Sequence, residues 1–125
     1  MISWNVELTL VQVLDTDSFQ LEGYAVFRNS DMRRWRAIPA EDSLARVAAL
    51  RKLHPSKPDR VGIASMKEAV ASAGAAFPLI TIYRERLKRR VCNVGRLVRL
   101  TQRTMTIRSI TPQAELSGKK RTPIL

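Results

Sequence analysis

The sequence predicts an α+β fold: two small antiparallel β meanders flank a pair of helices in the order βββ-αα-βββ. The second meander runs into a basic tail where a further strand would complete it. Period-two alternation of apolar residues marks both ends of the chain, and helical spacing marks its middle. Pro39 and Pro78 stand where one pattern gives way to the other. With 125 residues, 45% of them hydrophobic, the chain is long enough for one domain with a real core.

Trp4 to Leu14 alternates, with Val6, Leu8 and Leu10 on one face and Glu7 and Thr9 on the other. That pattern predicts a half-buried strand. Asp15-Thr-Asp-Ser18 is turn chemistry, because short polar side chains bond the local backbone. Phe19 to Phe27 forms a second strand, and Gly23 inside it marks a bulge or bend. After the turn at Asn29-Ser-Asp31, Met32 to Ile38 is expected as a short third strand.

Beyond Pro39, Glu41 to Leu53 has helical spacing, with acids in its first turn and Arg51 and Lys52 in its last, as the helix dipole favours. The run His54-Pro-Ser-Lys-Pro-Asp59 stops it. Ser65-Met-Lys-Glu68 is a capping-box pattern opening a second helix. Its small residues permit close approach to a sheet, while Gly74 weakens it and Pro78 closes it. Ile80 to Leu87, Val91 to Leu100 and Thr104 to Ile110 restore the β pattern. In the last, Met105 and Ile107 face inward and Thr104, Thr106 and Arg108 outward.

Residues 1–38 thus make the N-terminal meander and 39–77 the helical pair, with a Pro-rich linker at 54–60. Residues 78–116 make a basic second meander and 117–125 a basic, solvated tail, within one compact domain. The two meanders share a layout of long strand, Gly-containing strand and short strand, an expected internal symmetry.

Two segments, Leu21-Glu-Gly-Tyr-Ala-Val-Phe-Arg-Asn-Ser-Asp31 and Val91 to Glu115, resemble a group of small bacterial proteins of no established activity. The resemblance spans about two thirds of the chain and implies SH3-like or Sm-like β units. The motifs of true Sm proteins are missing, so ring assembly and uridine binding are not implied.

Charge carries the functional expectation. Residues 78–125 hold 12 Lys/Arg against Glu85 and Glu115, whereas residues 1–77 hold 10 against 9 acids. Such a field repels itself and attracts polyanions. The expected binding residues are Arg84, Arg86, Lys88, Arg89, Arg90, Arg96, Arg99, Arg103 and Arg108, with Tyr83 as a base-stacking platform. Arginine's dominance favours bidentate phosphate contacts. Arg96 and Arg99 fall on opposite faces of a regular strand, so a bulge or a packed stem is expected there. Arg33, Arg34, Trp35 and Arg36 form a secondary basic group, and Lys119, Lys120 and Arg121 an electrostatic arm. Trp35 and Trp4 are expected to pack, Trp35 under arginine stems.

The expected function is therefore non-enzymatic, sequence-tolerant binding of nucleic acid, with RNA ahead of DNA. The alternative is a protein-interaction module that docks an acidic partner or adds a strand at an open sheet edge. Catalysis finds little support: His54 is the only histidine and lies in the linker, and the five glycines are isolated. The lone Cys92 excludes an internal disulfide and is expected to be buried on a strand. Asp15, Asp17, Glu22 and Asp31 are explained by turns, so no metal or cofactor is expected. No signal peptide or membrane span is apparent, and a cytoplasmic location follows.

Overall fold

The computed structural model describes residues 1–83 and 92–124. The fold is α+β, with two antiparallel sheets and two α-helices among the described residues. It divides into two compact units, Met1–Asp59 with Ile63–Ser65, and Arg60–Gly62 with Met66–Leu125. One helix belongs to each unit.

In the first unit, strands β1 (Ser3–Trp4), β2 (Leu8–Asp15) and β3 (Gln20–Arg28) form a sheet in chain order. The long alternating run at the N-terminus is thus two strands, because Asn5 folds it back on itself. The Asn5 carboxamide oxygen accepts the N–H groups of Glu7 at 2.8 Å and Leu8 at 2.7 Å. Asn29 clamps the same turn: its Nδ2 donates to the Asn5 carbonyl at 2.8 Å, and its Oδ1 accepts from the Thr9 hydroxyl at 2.6 Å. Val6, expected inside with Leu8 and Leu10, lies in this turn and is 92% exposed, whereas the two leucines are buried.

Between β2 and β3, Asp15 accepts from the N–H groups of Asp17 and Ser18 and from the Ser18 hydroxyl. Those bonds, the Ser18 hydroxyl's first, hold its carboxyl below the ordinary aspartate range. The ladder pairs Gln12 with Tyr24 but Leu14 with Leu21, so β3 carries the extra residue at Glu22–Gly23, and the bulge expected at Gly23 is there.

Residues 32–38 form no strand. The third strand of this sheet is β1, beside β2, and not the segment that follows β3. A 3₁₀ turn at Asn29–Asp31 leads into an irregular segment whose residues 33–38 are exposed. Helix α1 (Ser43–Leu50) is shorter at both ends than its apolar spacing implied. Asp42 is its N-cap, accepting from the Leu44 N–H at 2.9 Å. At its other end Lys52 takes a positive φ of 52°. The Lys52 and Leu53 N–H groups then close on the Ala49 and Ala48 carbonyls, stopping the helix ahead of Pro55.

In the second unit, β4 (Ile80–Tyr83), β5 (Cys92–Leu100), β6 (Thr104–Ile110) and β7 (Leu116–Pro123) form a four-stranded meander in chain order. The basic tail is therefore an edge strand: Lys119 pairs with Arg108, Lys120 with Ile107 and Arg121 with Thr106. Lys and Gly are poor strand formers, so this segment owes its conformation to the partner strand rather than to propensity. Among the described residues one sheet has three strands and the other four, so the expected repeat of layout is not seen there. Neither sheet closes into a barrel among the described residues.

Helix α2 (Met66–Ala76) begins directly after Ser65, where the capping pattern put it, and lies on one face of this sheet. Met105, Ile107 and Ala69 are buried in this unit. Gly74 is the point of close approach, since a Cβ there would stand 2.4 Å from Leu97 Cδ2 and 2.8 Å from Leu97 Cβ.

Candidate functional site: the open face of the second sheet

Two features of the ladder decide which side chains share a face. Side chains alternate along each strand, and residues opposite one another point the same way. On the helix-covered side stand Leu97 and its opposite neighbour Ile107, with Met105 two residues along β6. The other side carries Thr81 and Tyr83 from β4, Cys92, Val94 and Arg96 from β5, Thr104, Thr106 and Arg108 from β6, and Lys119 and Arg121 from β7.

Arg99 joins that face through a bulge. Leu97 pairs with Ile107 and Arg99 with Thr106, leaving Val98 as an extra residue in β5. In a regular strand Arg99 would point at the helix. With the bulge it stands on the side of Arg96, which resolves the conflict between the two arginines that strict alternation creates.

The cations fall into rows. Arg96, Arg108 and Lys119 are directly opposite one another on three adjacent strands. Arg99, Thr106 and Arg121 form the next row, and all five cations are exposed. Side chains directly opposite are about 5 Å apart, and like charges in that relation are destabilising. Among the described residues none of the five forms an ion pair; the one side-chain bond they make is Arg121 Nε donating to the Thr104 hydroxyl at 3.4 Å. No acidic residue stands on this face among the described residues. Lys119 and Arg121, expected on a free arm, are instead part of the block. The run Lys119-Lys120-Arg121 carries no alternation that would have revealed the strand.

Tyr83 is 70% exposed at one corner of the face, directly opposite Cys92. Cys92 is on a strand as expected but is exposed. Arg103 is exposed in the β5–β6 turn, where Thr101 Oγ1 accepts the Arg103 and Thr104 N–H groups. It stands outside the rows. Arg84, Arg86, Lys88, Arg89 and Arg90 lie outside the described residues.

In the first unit, Arg33, Arg34, Trp35 and Arg36 are all exposed in the irregular segment. Trp35 is therefore not packed under arginine stems, and Trp4 is 69% exposed as well. With no strand there, the alternation that would have turned Trp35 inward does not exist.

Among the described residues no group of His, Cys, Asp and Glu is arranged to hold a metal ion. Nor is any helix among them long and apolar enough to cross a membrane. No protein-family model matches the chain, and no curated protein or solved structure is detectably similar to it.

Proposed function

We propose that this chain is a non-enzymatic, sequence-tolerant nucleic-acid-binding protein whose binding surface is the open face of the second sheet. The row Arg96–Arg108–Lys119 carries the proposal. Three cations side by side, with no carboxylate between them, cost stability in the free protein and gain it back from a polyanion. Phosphates meet those cations without regard to base identity, hence the tolerance of sequence. RNA stands ahead of DNA because Thr81 and Thr106 put hydroxyls on the same face, where a 2′-OH can donate or accept. The four-stranded meander serves here as an open version of an SH3/Sm-like β unit. The alternative of strand addition is less favoured at β7, since Lys and Arg on an edge strand discourage pairing.

Reversing charge tests the proposal. Arg96→Glu with Arg108→Glu should reduce retention of labelled RNA by at least about a hundredfold, since each charge-assisted bond to phosphate is worth about 1.5–3 kcal/mol. Circular dichroism verifies that the variant is folded. Unchanged retention rules this face out. Purified wild-type protein should also carry material absorbing at 260 nm that a high-salt wash removes. Clean elution together with capture of an acidic protein supports the alternative.

A further inference from the structure

We infer that the nucleic acid taken by this face is single-stranded, with one unstacked base lying on Tyr83; the inference rests on the function just proposed. Tyr83 shares the face with the cation rows and is 70% exposed. Cys92 and Arg96 are four residues apart on β5, so Tyr83 and the Arg96 row are separated by about 13 Å along the strand direction. The intervening positions on that side are Thr81 and Val94, which pair with each other. The face therefore offers an aromatic ring at one end and a phosphate-binding block at the other, joined by a small, uncharged stretch.

A duplex can use only half of this. Its phosphates would satisfy the cations, but its bases are stacked on one another and present edges, leaving the ring without a partner. A single strand can set phosphates over Arg96, Arg99, Arg108, Lys119 and Arg121 and turn a neighbouring base onto the ring. Stacking of that kind tolerates any base, because every base has a π face. The inference thus keeps the sequence tolerance already proposed and adds a strandedness requirement.

The experiment compares labelled uridine and thymidine oligomers of about twelve nucleotides with a duplex of equal length. Wild-type protein should prefer the single strands. Tyr83→Ala should weaken single-strand binding by about 5- to 150-fold and leave duplex binding unchanged, while Tyr83→Phe keeps single-strand affinity. Crosslinking to a 5-iodouridine oligomer should fall on the peptide containing Tyr83. If Arg96→Glu with Arg108→Glu abolishes binding but Tyr83→Ala changes nothing, the basic face stands and the single-strand inference falls. Equal affinity for duplex and single strand overturns it too. No binding to any of the three probes overturns both proposals.

Discussion

At Gly95 the backbone of β5 comes close to that of β6. A Cβ there would lie 2.2 Å from the Arg108 carbonyl oxygen and 2.8 Å from its carbon, both backbone atoms that no rotamer change can move. Gly95 is also buried in the structure and directly opposite Ser109, one pair away from the Arg96–Arg108 row. Two effects oppose one another in Gly95→Ala. Reduced freedom of the unfolded chain favours alanine by about 0.4–1 kcal/mol. Forcing the two backbones apart costs about 1–3 kcal/mol, and the rigidity of the neighbour puts this site at the upper end. We expect a net loss of about 2 kcal/mol in chemical denaturation, with weaker nucleic-acid binding as the row is displaced. A variant as stable as wild type would show that the strands do not approach so closely. Gly74 faces a softer neighbour, the Leu97 side chain, although Leu97 Cβ cannot rotate away either.

Val98 is the corresponding feature at the level of a whole strand. The bulge makes it the residue that β5 can lose without changing which face any other side chain occupies. Deleting it would pair Leu97 with Ile107 and Arg99 with Thr106 in an unbroken ladder. We expect that deletion to cost less than about 1 kcal/mol and to preserve binding, since Val98 is exposed and only local twist changes. Deleting Thr106, for which β6 has no spare residue beside the bulged β5, should instead send buried Ile107 or buried Met105 to the wrong face and cost more than about 3 kcal/mol. Thermal unfolding of the two variants checks the contrast; equal damage would place the irregularity elsewhere. The bulge was legible in the sequence because Arg96 and Arg99 conflict with strict alternation. The β6 strand and the second helix were legible for a related reason, strong periodicity bounded by clear stops. The first sheet was misread at its two ends. Asn5 breaks an apolar run through a side-chain bond that no hydropathy pattern registers, and Met32–Ile38 mixes Arg with apolar residues on both alternate sets of positions and has no partner strand. The β7 strand failed in the opposite sense, having a partner but a composition that reads as solvated tail.

For the whole molecule the governing quantity is a net charge of +11, of which +10 arises in residues 78–125. That imbalance makes salt act in opposite directions on folding and on binding. In the free protein, salt screens repulsion within the rows, shortening the Debye length from about 30 Å at 0.01 M to about 8 Å at 0.15 M. Since the Cβ atoms of neighbouring cations in the Arg96–Arg108–Lys119 row are about 5 Å apart and the side chains are exposed, their repulsion is strongest at low salt and is relieved as salt rises. Thermal stability of the free protein should therefore increase from low to physiological salt. Binding should show the reverse, because each phosphate neutralised releases a counterion. Five contacts to a single strand give a slope of about −3.5 in log affinity against log salt, a loss of about a hundredfold between 50 and 200 mM. The pair of slopes is more telling than either alone. A cationic surface whose charges were held by internal carboxylates would lose stability as salt weakened those pairs, and one that met its ligand through uncharged contacts would bind with no salt dependence. Arg96→Gln with Arg108→Gln should flatten both slopes together, shortening the binding slope by about 1.4 and raising low-salt stability. If neutralising that row leaves low-salt stability unchanged, the cations are not repelling one another and the face has lost its reason to seek an anion.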